Sequence, residues 1–176
     1  ASLSSESIRA SFKADVAAGG GLAARHGSVS LQTRINNAPQ KRSGVYGMPY
    51  LAHAGMEPMS CTAKVTSSSC EVWTGTQVPG IARKIAREIT GLSLSQVQVY
   101  NHLLGGGFGR RGRTDYVAEA VKIAKATGKV VKLTWSREDD TKYGIFRPTA
   151  YHEIQGAVDS GGKLVGIVHK VACQSV

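Results

Sequence analysis

Leu103-Leu104-Gly105-Gly106-Gly107-Phe108-Gly109-Arg110-Arg111-Gly112-Arg113 decides how this chain is read. Five glycines, one aromatic and three arginines lie between a run of strand character and a run of helix character. Glycine lets the main chain take positive φ and lets a ligand come close to the backbone. Arginine offers a planar fork to a phosphate or a carboxylate. A loop of this composition commonly holds an anionic cofactor. Phe108 contributes nothing to a turn, so its ring is expected to pack on a neighbour.

On the upstream side, Val97 and Val99 alternate with polar residues, as in a half-buried strand. On the downstream side, Val117, Ala120, Val121 and Ala124 line one face of a helix that Gly128 ends. A second helix face is marked by Ile81, Ala82, Ile85, Ala86 and Ile89, between Pro79 and Gly91. Strand candidates precede it at 45–52, 61–65 and 70–74, the last two joined as a hairpin through Ser67-Ser68-Ser69. Further strands are expected at 130–135, 151–158 and 163–173, the final pair turning at Asp159-Ser160-Gly161-Gly162. This order predicts an α+β fold: a mixed sheet with two main helices packed on it.

The first quarter of the chain is different. Ile8, Phe12 and Val16, spaced by four, predict a short helix over 5–18 that Gly19-Gly20-Gly21 ends. Residues 22–43 are polar, with one strand candidate at 29–32. The expected division is a helix and linker arm over 1–43 and the main domain over 44–176.

Composition narrows the function. The 176 residues carry a formal net charge of +10, and only 6% are aromatic. That charge motivates an alternative reading as a basic nucleic-acid-binding module; against it, no stacking platform and no known motif are present. Cys61, Cys70 and Cys173 form no CxxC and no zinc or iron–sulfur spacing, although a Cys61–Cys70 bridge across the hairpin is conceivable. No apolar run reaches membrane-spanning length. The start, Ala1 to Glu6, lacks the basic and apolar regions of a signal peptide, and the chain is expected to be an excised piece of a longer one.

Gly107-x-Gly109-x-x-Gly112 is a literal dinucleotide fingerprint between strand and helix, with Glu138 and Asp139 after the next strand. It supports an alternative reading as an NAD-type dehydrogenase domain. Against it, the preceding strand alternates where a Rossmann core strand is apolar on both faces. Two arginines also stand where the pyrophosphate would approach. A P-loop is excluded because no GK[ST] follows.

Four segments in order carry a resemblance. Gly105 to Arg111 resembles the GGGFG segment of the molybdenum hydroxylases, the xanthine dehydrogenase/aldehyde oxidase family. Its Arg-Arg ending is similar to the isoquinoline 1-oxidoreductase and membrane-bound aldehyde dehydrogenase branch. Pro49 to Met59 resembles that branch's PYLAHAxMEPM, Val72 to Pro79 its VWxxTQxP, and Trp135 to Asp140 its WSREDD. The resemblance implies part of a subunit that binds a pterin–molybdenum cofactor, in the plain or the cytosine dinucleotide form. It implies hydroxylation of an N-heterocycle or aldehyde with oxygen from water. Electrons would leave through [2Fe–2S] clusters on a separate small subunit. The remainder of the large subunit would be a further partner.

Residue by residue, the resemblance makes Gln77 the glutamine whose amide hydrogen-bonds an oxo ligand of the metal. It makes Phe108 and Gly109 part of the loop that passes over the metal, with Gly105, Gly106 and Gly107 setting the turn. The substrate-binding Glu of xanthine dehydrogenases falls at Gly112, which speaks against a purine. The family's general-base Glu has no counterpart here, so no catalytic residue and no protein metal ligand is expected, and the piece alone should be inert.

Plainer roles stand beside these. Gln77 could cap the next helix, and Phe108 could be a core aromatic. Arg110, Arg111 and Arg113 read first as a solvated or salt-bridged set, with phosphate or a partner subunit as alternatives. His53 and Glu57 are four apart, but Gly55 and Pro58 oppose a helix, so a structural hydrogen bond is expected. Trp73 and Trp135 are assigned to the core, and Arg137 to Asp140 to a charged network at a strand end.

Overall fold

The spacing of apolar residues converts directly into elements. A computed structural model describes residues 3–27 and 30–174. In chain order the elements are α1 (Ser5–Ala18), α2 (Leu31–Asn37), β1 (Gln40–Met48), β2 (Leu51–Ala52), β3 (Ser60–Val65), β4 (Cys70–Thr74), α3 (Pro79–Thr90), β5 (Val97–Asn101), α4 (Asp115–Thr127), β6 (Val131–Thr134), α5 (Arg137–Tyr143), β7 (Phe146–Arg147), β8 (Ala150–Val158) and β9 (Leu164–Cys173). The chain divides into two units: Ala52–Arg147, and Ala1–Leu51 with Pro148–Val176. Among the described residues no helix is long and apolar enough to cross a membrane.

In the unit Ala52–Arg147 the sheet order is β5-β4-β3-β6. β3 pairs antiparallel with both β4 and β6, while β4 and β5 run parallel, with Cys70 opposite Val97. Alternation along β3 and β4 sends Cys61, Ala63, Cys70 and Val72 to one face. Ala82 and Ala86 of α3 and Val117, Ala120, Val121 and Ala124 of α4 close over them. The helices lie flat on the sheet because four of those six side chains are alanines. This is the mixed sheet under two helices that the sequence predicts.

The other unit is the antiparallel sheet β1-β8-β9, with α1 and α2 on it. Its core joins Ile35 and Ala38 to Ala157, flanked by Leu31, Val165 and Val168. The β8–β9 turn is fixed by Asp159, whose Oδ1 accepts from Gly161 N and Lys163 N, each at 2.9 Å.

Several expectations need correction. The strand candidate at 29–32 falls partly outside the described residues, and from Leu31 the chain is helical. Arg137 to Asp140, read as a charged network at a strand end, does pair Arg137 Nη1 with Asp140 Oδ2 at 3.0 Å, but within a helix the reading missed, α5, started by Ser136, whose hydroxyl accepts from Asp139 N at 3.0 Å. Trp73 is only partly buried and stacks on Tyr100, whereas Trp135, also partly buried, does pack against the core cluster, with its Nε1 donating to Glu119 at 2.8 Å. Cys61 and Cys70 do not bridge: they sit at opposite ends of the hairpin, opposite Thr74 and Val65. Burial pushes their thiols up to about 12 and about 11.

The dinucleotide reading also fails. A Rossmann half needs successive parallel strands linked by helices. Here β4–β5 is the one parallel pair among the described strands of this sheet, and β5 is its edge. The strand after the loop, β6, lies at the far edge, antiparallel to β3.

Candidate functional site

Parallel pairing of β4 with β5 brings both C-terminal ends to one edge of the sheet. From there β4 continues through Gly75 and Thr76 to Gln77, and β5 continues into the glycine loop. Two hydrogen bonds hold the exits together: His102 N to Thr74 O at 3.0 Å, and Thr76 N to Asn101 Oδ1 at 2.9 Å. Beyond them, Thr76 Oγ1 and Gln77 N both donate to Arg111 O, at 3.0 and 3.1 Å. Segments distant in sequence are thereby fixed side by side.

The loop turns back on itself with φ of +94° at Gly106, +52° at Phe108 and +99° at Gly109. Glycine takes such values without strain, whereas phenylalanine does not. Phe108 therefore is part of the turn, and its ring is 62% exposed instead of packed in a core. Gly105 and Gly107 are required by closeness. A Cβ at Gly105 would collide with Glu57 Cβ, and one at Gly107 would lie 2.9 Å from Gln77 Oε1.

Arg111 holds this shape from below. Its guanidinium is fully buried and donates to Gly106 O at 3.0 Å, Gly75 O at 2.9 Å, Glu57 O at 3.2 Å and Glu57 Oε2 at 2.8 Å. A buried charge is tolerated only when paired and hydrogen-bonded, and here it is both. Glu57 completes the brace: its Oε2 also accepts from Gly105 N at 2.9 Å, and its Oε1 accepts from Ser60 Oγ at 3.0 Å. Burial pushes the Glu57 carboxyl up. The Gly105 N–H, the Ser60 hydroxyl and the Arg111 charge outweigh it and hold the pKa below the ordinary carboxylate value.

Arg110 is buried too. It forks onto both Asp115 oxygens at 2.8 Å and lies over the Trp135 ring at 5.1 Å. It thereby ties the loop to the start of α4. Of the three arginines only Arg113 is exposed. The salt-bridged reading holds for Arg110 and Arg111, and neither guanidinium is available to a phosphate. Glu57 is the structural group its sequence context predicts, and His53 Nδ1 meets Ile145 O at 2.9 Å, with its Nε2 edge beside Gly109.

Gln77 stands at the rim. Its side chain is exposed, and Oε1 accepts from Gly109 N at 3.2 Å. That bond fixes which end of the amide faces inward, since an NH₂ cannot accept from an N–H. Nε2 has no partner among the described residues. The six residues singled out from the sequence, Gln77, Gly105, Gly106, Gly107, Phe108 and Gly109, thus form one surface. The sequence did not single out Arg111 as its support; a fully buried arginine leaves no local signal.

The α+β sheet thus delivers a braced glycine loop, an outward amide and an exposed aromatic to one edge. Residues 14–175 match the molybdopterin cofactor-binding domain family, and the chain belongs to it. It is 36% identical over 144 residues to the beta chain of isoquinoline 1-oxidoreductase from Brevundimonas diminuta, a match covering 81% of this chain and 18% of that one. It is 29% identical over 128 residues to the membrane-bound aldehyde dehydrogenase of Gluconacetobacter polyoxogenes, covering 72% of this chain and 17% of that one. The fold is similar to that of the aldehyde oxidoreductase from Desulfovibrio gigas, with a TM-score of 0.69, 19% identity, and 81% of this chain against 16% of that one. The chain therefore spans less than a fifth of each of these proteins.

Proposed function

We propose that this chain is the lobe of a molybdenum hydroxylase large subunit that faces the metal end of the pterin cofactor. Gln77, Phe108, Gly109 and the turn Gly105–Gly107 are the residues that would meet it. The observation that carries this reading is the 3.2 Å bond from Gly109 N to Gln77 Oε1. It leaves a neutral donor, Nε2, directed outward, suited to an oxo group because it neither takes a proton nor binds a metal. The residues fit the group in a second respect: at Gly109 a Cβ would meet nothing nearer than His53 Nε2 at 3.6 Å, so the bare backbone there lets a flat ligand approach the loop.

When bound, the cofactor supplies a metal centre that accepts electrons and carries oxygen derived from water. This chain's own contribution is to bind and orient. Arg111 and Glu57 fix the loop before any ligand arrives, and Gln77 offers one hydrogen bond. The general base would come from polypeptide outside residues 1–176. The complete enzyme hydroxylates an N-heterocycle or an aldehyde, in keeping with the names of the relatives, and passes electrons to a [2Fe–2S] small subunit. The cofactor is the plain pterin or the cytosine dinucleotide form, and nucleotide release on acid treatment distinguishes them.

Elemental analysis of the assembled large and small subunits tests the proposal. Wild type should contain close to one molybdenum per large subunit, and Gln77→Ala substantially less. An assembled wild type without molybdenum, made in a host able to synthesise the cofactor, would sink it.

A further inference from the structure

The sheet β1-β8-β9 has its polarity reversed. Val168 and Ala157 belong to the cluster with Ile35 and Ala38 of the helical side. By alternation, Ile167, His169, Val171 and Cys173 of β9 and His152 and Ile154 of β8 point to the opposite face. The contact between His152 Nδ1 and His169 Nε2, at 2.8 Å with stacked rings, lies on that face. Tyr46, in register with His152, adds β1 to it. Tyr46, Met48, Ile167 and Val171 are each at least half exposed, and Cys173 is exposed.

The positions of β8 and β9 on this face include no Asp, Glu, Lys or Arg, in a chain with 22 Lys and Arg and 12 Asp and Glu. The positions facing the helices, by contrast, include Glu153, Gln155 and Lys170. An antiparallel sheet that meets water on one face is polar there, and a contiguous apolar surface marks an interface.

We infer that this face is covered by a segment of the same large subunit lying outside residues 1–176. The segment presents aliphatic or aromatic side chains. Arg42 of β1, in register with Gly156, is the charged residue on this face; the charge-free stretch on β8 and β9 has the composition of a permanent interface, whereas separable partners meet through more polar surfaces. The chain spans 18% of the isoquinoline 1-oxidoreductase beta chain, so a large subunit of that kind has ample polypeptide to supply the cover. The inference rests on reading the chain as part of a large subunit.

A photo-crosslinking benzoylphenylalanine at Ile167 in the assembled enzyme, with mixed isotope-labelled copies, tests it. The link should map to the same copy, outside residues 1–176. In unsubstituted enzyme, iodoacetamide should alkylate Cys173 at least ten times more slowly in the native state than after unfolding. A link to residues 52–147, to the small subunit or to a second copy would overturn the inference. So would native alkylation of Cys173 at the unfolded rate. Molybdenum content, measured alongside, reports separately on the cofactor reading: the link is expected with or without the metal.

Discussion

Gly109 N donates to Gln77 Oε1 across 3.2 Å, and the two residues are 32 positions apart. Parallel pairing of β4 and β5 makes this possible, because it sends both following segments off the same edge of the sheet. The bond sets the amide's orientation and stiffens the loop at its positive-φ turn.

Gln77→Glu separates those two effects. A carboxylate still accepts from Gly109 N, so loop protection in hydrogen exchange should persist. The outward donor becomes an acceptor, so molybdenum content of the assembled enzyme should fall at least as far as in Gln77→Ala. Equal metal content in Gln77→Glu and wild type would remove the donor role.

Arg111→Met should lower the stability of the fold by on the order of 3 kcal/mol, because it strands several buried carbonyls and leaves Glu57 without its charge partner. Glu57 is partly exposed, so solvent screens part of that penalty. Denaturant unfolding should show the loss. Arg111→Lys should recover little, since one ammonium cannot reproduce a fork spanning Gly75, Gly106 and Glu57.

Acid should weaken the loop through Glu57. Its folded pKa lies below the unfolded value, so its stabilisation is present above the ordinary carboxylate range. It is lost as pH falls through the depressed folded value. Hydrogen exchange at Gly105, corrected for intrinsic rate, should rise over that acidic range in wild type. The rise should be absent in Glu57→Gln, which starts from a weaker brace.

Gly105→Ala should disrupt the turn because the new Cβ runs into Glu57. Gly112→Ala is the control: it has open space around it and no positive φ. Unfolding temperatures should drop by several degrees for the first and stay near wild type for the second. Equal behaviour would show that the approach of Glu57 to Gly105 is not tight.

Local pattern was enough for much of this molecule. The apolar periodicity at Ile81 to Ile89 and Val117 to Ala124 specified α3 and α4, and alternation specified β3, β4, β5 and the β8–β9 hairpin. Each such element shows its buried face in its own residues. The Ser136–Asp139 cap of α5 was also present in the sequence, but its charges drew the reading toward a strand-end network. The motifs placed Gln77 and Gly105 to Gly109 on the list of residues to watch, and the resemblance set Gln77 and Phe108 near one another, yet no motif carried the bond between Gln77 and Gly109.

Contact was decided by the tertiary structure. Only strand order puts Gln77 beside Gly109, and only the packing of Glu57, Gly75 and Gly106 around one guanidinium turns Arg111 from a surface charge into a buried brace. Phe108 became an exposed turn residue for the same reason: the loop's path is set by bonds to distant segments. A sequence displays which face of an element is apolar because that pattern is local. Which distant groups satisfy a buried charge or a strained turn depends on the path of the whole chain, and so appears only when it has folded.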